Sequence, residues 1–304
     1  MRLLALACFC ILLIIYFTAG CTVVGFDTPY NKGVNAYRSG KYAKAAENFK
    51  IAIEKKKDFY EAWYNLALTY ERLKKTDKAE QCYQQALKYS HNARVLVSYA
   101  MFRYEKGDTS AALMFLKQAC EAEQDRAYPL VALGYYYQLE DQPKLALKYY
   151  NQAKEREPDY ALTYYRLGMY YKQAGELEKA KKNLKQAVIL DPEDAASAEE
   201  YGWVLVSLNL NSSAIQAFEK VIELEPDNLD IYLELARLYQ TLGRHREAVD
   251  VLWQARYIAP DNKEISKLLI ISYKALLTEE LLGAKRTFTP APIEKSSETP
   301  VPKK

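Results

Sequence analysis

The stretch Ala161–Asp194, ALTYYRLGMYYKQAGELEKAKKNLKQAVILDPED, decides the fold. It reads as two short helices joined by a turn. Leu167, Gly168 and Tyr171 share one face of the first helix, and Gly175 follows where a helix end needs a residue tolerant of positive φ. Ala180, Leu184 and Ala187 recur at steps of four and three, the inner stripe of a second helix. Pro192 closes the unit, because it cannot continue a helix interior and disfavours helical geometry at Asp191 before it.

The same skeleton returns every 34 residues. Numbering places from Ala161, place 8 is always small: Gly33, Ala67, Ala100, Gly134, Gly168, Gly202 and Ala236. Place 20 is alanine in every copy, from Ala45 to Ala248, and place 27 is alanine in all but one, where it is Val221. Place 24 is always large: Phe49, Tyr83, Leu116, Tyr150, Leu184, Phe218 and Leu252. Two antiparallel helices approach closely only where side chains are small, and bulky residues beside the gap fill the remaining volume. Place 15, just past the first helix, is Gly40, Lys74, Gly107, Asp141, Gly175, Asn209 and Gly243, so every copy but the one with Lys74 offers a type that accepts a left-handed cap. One residue is missing near His91–Asn92.

A 34-residue helix-turn-helix period with this small/large pattern resembles the tetratricopeptide repeat family. Seven repeats are expected over residues 26–262. The resemblance implies an all-α chain, a right-handed superhelical solenoid. After the seventh copy, Ile265, Leu268, Leu269, Ser272 and Leu276 predict one further amphipathic helix over 263–282, the terminal cap such arrays use to cover their last apolar face. Half of the 304 residues are hydrophobic, enough for one continuous core, and 42 basic against 39 acidic residues leave a net charge of only +3. No basic stretch with interleaved aromatics stands clear of compensating acids, so nucleic acid is not an expected partner.

The two ends are different material. Residues 1–20, MRLLALACFCILLIIYFTAG, carry one charge at Arg2, an apolar run and a small-residue exit, the pattern of a secretory signal. Thr18-Ala19-Gly20-Cys21 resembles the lipobox of bacterial lipoproteins, in which the cysteine receives a diacylglyceryl group and becomes the new N-terminus; the family usually has leucine where this chain has Thr18. That resemblance implies lipid attachment at Cys21 and a short spacer over 21–29. It places the array in the bacterial cell envelope. If the host has an outer membrane, Thr22 in place of aspartate implies attachment there, facing the periplasm. An uncleaved anchor and a freely secreted protein are the alternatives, and both also put the repeats outside the cytoplasm. Residues 283–304, with Pro290, Pro292, Pro300 and Pro302 among Thr, Ser, Glu and Lys, read as a disordered tail.

No catalytic constellation is expected, and no cofactor or metal. His91 and His245 fall in separate repeats without a nucleophile motif, and no phosphate-cradling loop or metal spacing occurs. Cys82 and Cys120 lie on second helices of adjacent copies, offset by about 7.5 Å of helical rise, poorly placed for a bridge and read as free thiols.

In the family, places 2, 5, 9 and 12 of the first helices tend to face the hollow of the superhelix. Here places 5 and 9 give Tyr64 and Leu68, Val97 and Met101, Val131 and Tyr135, Tyr165 and Met169, Glu199 and Trp203, then Leu233 and Arg237. Place 12 adds Tyr104 and place 2 adds Tyr128. The candidate groove is thus Tyr64, Leu68, Met101, Tyr104, Tyr128, Tyr135, Tyr165, Met169 and Trp203; packing against the preceding copy is the competing role for Tyr64, Tyr165 and Val131. Tyr, Trp and Met suit protein anchors. The Lys/Asn pattern that clamps a chain-terminal carboxylate is not matched, Asn65 and Arg94 being its only partial echoes. The expected ligand is therefore a protein or peptide, an apolar segment or helix, held by a membrane-anchored adaptor or scaffold. The alternative is an assembly factor similar to the tetratricopeptide lipoproteins that escort pilus or secretion pores.

Overall fold

A computed structural model of the chain describes residues 28–287. The expected signal peptide, Cys21 with its spacer as far as residue 27, and the tail from residue 288 lie outside the described residues. Among the described residues there are fifteen helices and no strand.

The chain divides between Pro158 and Asp159 into two compact units. Unit 1 holds four antiparallel pairs: α1 (Pro29–Arg38) with α2 (Tyr42–Lys55), α3 (Tyr60–Arg72) with α4 (Thr76–Tyr89), α5 (Ala93–Glu105) with α6 (Thr109–Ala122), and α7 (Ala127–Leu139) with α8 (Pro143–Arg156). Unit 2 holds three more, α9 (Ala161–Gln173) with α10 (Leu177–Leu190), α11 (Ala195–Ser207) with α12 (Asn211–Leu224), and α13 (Leu229–Thr241) with α14 (His245–Ile258), then the single helix α15 (Lys263–Thr287).

The small/large rule sets the spacing within each pair. All seven place 20 alanines are fully buried, and every place 24 residue is at most 1% exposed. A β-carbon added at Gly168 would lie 2.5 Å from Leu184 Cγ, and one at Gly134 would lie 2.7 Å from the Tyr150 ring. The helices touch there with backbone against side chain, which is why place 8 admits nothing large.

The turn is equally uniform. Place 15 has positive φ in all seven copies, 69° at Gly40, 84° at Gly107, 75° at Gly175 and 71° at Gly243. Asp141 and Asn209 follow at 52° and 57°, and Lys74, the one unexpected residue type, is held at 55°. The next residue's N–H then reaches back five positions in every copy, as in Lys41 to the Ala36 carbonyl (2.9 Å), Lys75 to Tyr70 (2.8 Å) and Glu176 to Tyr171 (2.9 Å). This bond satisfies a carbonyl left over at the helix end and is the Schellman closure. Lys74 adopts the strained conformation because the closure and the pairing of α3 with α4 together over-determine it.

The register also holds a pairing that periodicity did not reveal. Copies two and four have tyrosine at place 24, and each buried hydroxyl donates to the place 12 residue of its own copy. Tyr83 donates to Glu71 Oε1, and Tyr150 donates to Gln138 Oε1 at 2.8 Å.

In unit 2 the core runs on to α15, where Ile265, Leu268 and Leu269 pack with α13 and α14. Ser272, also buried, accepts from Gln240 Nε2 at 2.8 Å, and the same amide donates to the Leu268 carbonyl at 2.9 Å. The helix continues past the expected end at 282 as far as Thr287. Its place 15 is Leu277, with no residue suited to a left-handed turn, so the chain does not reverse.

Candidate partner-binding surface

The nine candidate residues divide between the units. Tyr64 and Leu68 lie on α3, Met101 and Tyr104 on α5, and Tyr128 and Tyr135 on α7, all in unit 1; Tyr165 and Met169 on α9 and Trp203 on α11 lie in unit 2. All nine are half-buried, with one side against their own unit and the other open. Tyr64 and Leu68 rest on the core of unit 1, Trp203 stands edge-on to Phe218 at 5.0 Å, and Tyr165 packs beside Ala180, Leu184 and Val204. Tyr104 meets Tyr136 edge-on at 5.6 Å.

Three neighbours in the expected stripe are corrected. Val97, Val131 and Leu233 at place 5 are 5%, 2% and 8% exposed and belong to the core. A β-branched or short aliphatic side chain does not reach past the helix surface at this place, whereas tyrosine does.

Part of the tyrosine surface is spent on joining copies. Tyr64 Oη shares a hydrogen bond with Ser98 at 3.0 Å, and Asn65 Nδ2 donates to Tyr30 Oη at 2.9 Å. Both bonds join place 5 of one copy to place 6 of the following one, so the Tyr64 hydroxyl turns to the following copy and not to the preceding one. Burial raises the phenol pKa of Tyr30, Tyr64 and Tyr165 above the ordinary value. They stay neutral donors or acceptors at physiological pH.

Charge accumulates in unit 2. Lys172 pairs with Glu200 at 2.5 Å, Trp203 Nε1 donates to Glu199 Oε1 at 3.2 Å, and Arg237 bridges Glu234 and Glu264 at 3.0 Å each. The surface there is polar and paired, in contrast to the aromatic faces of α3, α5 and α7.

Cavities also open elsewhere among the described residues. One of about 510 Å³ is lined in unit 1 by Ile53, Trp63, Leu66, Tyr70, Cys82 and Lys78 among others, and one of about 360 Å³ in unit 2 by Val188, Ala198, Tyr201, Ala217 and Lys220 among others. The same repeat places line both, so they are the groove between successive second helices that the architecture makes wherever it repeats. None of the nine candidates borders either one. Cys82 and Cys120 are free, and burial pushes their thiols up to about 12 and about 11, so neither is a reactive thiolate. Among the described residues no cluster of His, Cys, Asp or Glu has the arrangement of a metal site, and no helix is long and apolar enough to cross a membrane.

Comparison with known proteins agrees with this geometry. Four family models, each described as tetratricopeptide repeat, match residues 30–93, 127–160, 161–194 and 209–269. No curated protein matches the chain. Among solved structures, the Cut9–Hcn1 hetero-tetramer of the APC/C is similar with a TM-score of 0.55 at 16% identity, over 83% of this chain. The chain spans 50% of the length of that relative. The pilF protein of Pseudomonas aeruginosa is similar with a TM-score of 0.53 at 18% identity, over 68% of this chain and 95% of its own. The C-terminal part of a repeat-containing protein from Cytophaga hutchinsonii gives 0.50 at 19%, over 79% and 99%. At these identities the likeness is one of fold. Tetratricopeptide domains bind protein or peptide partners, and proteins built from them are generally non-catalytic adaptors or scaffolds. With the small/large register, the seven left-handed turns and four family models in agreement, this chain belongs to the tetratricopeptide-repeat family.

Proposed function

We propose that the protein is a lipid-anchored, non-enzymatic adaptor of a bacterial cell envelope, tethered through Cys21 and holding an apolar protein segment or helix on its first-helix faces. One observation carries the binding half of this reading. Met101, Tyr104, Tyr128 and Tyr135 stand half-open on consecutive first helices of unit 1, and Tyr165, Met169 and Trp203 do so in unit 2. Large side chains fixed from one side and open on the other keep their entropy cost of ordering low and their apolar area available, which is what binding anchors need. The anchor rests on the Thr18–Cys21 motif behind an apolar leader. Two or more acyl chains hold firmly where one is marginal, at about 0.8 kcal/mol per buried CH₂.

The test is capture from solubilised envelope. Tyr135→Glu with Met169→Glu, one substitution in each unit, is expected to reduce recovery of the partner at least tenfold while helical content and melting stay at the wild-type level. Undiminished capture by the folded double variant overturns the reading. A single client among the captured proteins favours the adaptor; a large pore assembly favours the escort role. For the anchor, a fatty-acid analogue is expected to label the wild type and not Cys21→Ser. Labelling that survives at the N-terminus of the variant contradicts the assignment.

A further inference from the structure

Half of the exposed large hydrophobic residues described in this protein sit on its last two helices: Trp253, Tyr257, Ile270, Ile271, Tyr273, Leu277 and Leu281. A terminal cap is expected to turn a polar face to solvent, and α15 exposes an apolar stripe beside its outward Lys267 and Lys274. Its buried residues Ile265, Leu268, Leu269 and Ser272 occupy one side. Ile270, Tyr273, Leu277 and Leu281 follow at steps of three, four and four, on a second face about 120° round the helix, and are 54%, 47%, 58% and 57% exposed. Trp253 joins this stripe from α14, its indole N–H donating to Tyr273 Oη at 3.0 Å.

The repeat register explains the open face. α15 is the first helix of an eighth copy, and Ile270 stands at place 8, the position where Gly33, Gly134, Gly168 and Gly202 meet the second helix of their copies. No second helix pairs with it among the described residues. Residues 288–304 hold four prolines, with Phe288, Ile293 and Val301 as their large apolar residues. The substitution of isoleucine for glycine or alanine also excludes the close approach used within this chain. It suits a helix about 8–10 Å away whose own contact residues are large.

We propose that this face is covered by the same face of a second copy, in a two-fold dimer in which each α15 takes the place of the second helix that the other's described residues do not supply. The surface is self-matching, being an uninterrupted apolar stripe about 16 Å long from Ile270 to Leu281. At roughly 100 Å² of open surface per side chain, the five stripe residues from each copy offer about 1,000 Å², the lower bound for a specific interface.

The mass of the full-length protein, solubilised and freed of detergent contribution, tests this by sedimentation. The wild type is expected to be dimeric at micromolar concentration. Ile270→Glu with Leu277→Glu is expected to raise the dimer dissociation constant at least tenfold at unchanged helical content. A cysteine series at Ile270, Leu277 and Leu281 is expected to give disulfide-linked dimers under mild oxidation, while Ile189→Cys, equally exposed at 58% on α10, is not. A wild type that stays monomeric up to 100 µM overturns the proposal, as does a charged double variant that stays dimeric. So does a monomer whose α15 stripe instead drives binding to phospholipid vesicles.

Discussion

Phe218→Ala is expected to destabilise unit 2 by about 3–5 kcal/mol, read as a shift in the denaturant midpoint of its unfolding. The ring is fully buried, between the backbone of Gly202 and the edge of Trp203, and a β-carbon on Gly202 would lie 2.7 Å from Phe218 Cδ1. Nothing flexible borders the gap, so the cavity does not collapse. The reverse error is milder. Gly202→Ala overpacks the same contact and is expected to cost about 1–3 kcal/mol. The chain itself shows the repair, since its seventh copy sets Ala236 against Leu252. Gly202→Ala with Phe218→Leu reproduces that pairing. It is expected to recover part of both losses, with a coupling of about 0.5–3 kcal/mol in a double-mutant cycle. Additive losses would show that places 8 and 24 do not set the helix spacing together.

The second large effect lies in unit 1, at Glu71 and Tyr83. Glu71→Leu leaves the buried Tyr83 hydroxyl without its acceptor and is expected to cost about 1–3 kcal/mol. Adding Tyr83→Phe restores the arrangement of the copies with Phe49 and Phe218 and is expected to recover most of it. Glu71→Gln behaves differently. Burial raises the Glu71 carboxyl pKa above its ordinary value, with the Tyr83 hydrogen bond opposing in part. The folded value thus exceeds the unfolded one, so the contribution of Glu71 is fully present below the unfolded pKa. It is lost as pH rises through the folded one. Glutamine keeps the acceptor without the charge, as Gln138 does for Tyr150 at 2.8 Å. The variant is expected to gain on the wild type as pH rises above the carboxylate range, by less than about 1 kcal/mol because the side chain is partly solvated. A pH-independent difference between the two in urea unfolding would refute the linkage.

These pairs mark what periodicity can and cannot carry. A 34-residue period dictated two helices and a turn, because the steps of three and four fix which residues face inward whatever the fold around them. Place 15 was legible from glycine and asparagine in most copies. Lys74 was not, since its conformation is imposed by the closure bond from Lys75 to Tyr70 rather than by its own preference.

The candidate surface was readable only as a list of places. That Tyr64 spends its hydroxyl on Ser98, that Val97 and Val131 sink into the core, and that Tyr83 calls for an acceptor at place 12 all depend on the distance between neighbouring helices. For Tyr64 that distance is set by packing across copies and for Tyr83 by the small/large contact inside its own pair, and neither has a signature within one helix. The terminal helix shows the division most clearly. By itself the sequence determined that residues after the seventh copy form an amphipathic helix, since one apolar stripe suffices for that. The stripe it named, Ile265, Leu268, Leu269 and Ser272, is the one the core takes; only the tertiary structure decided that Ile270, Tyr273, Leu277 and Leu281 stay in water, because α13 and α14 present room for one stripe.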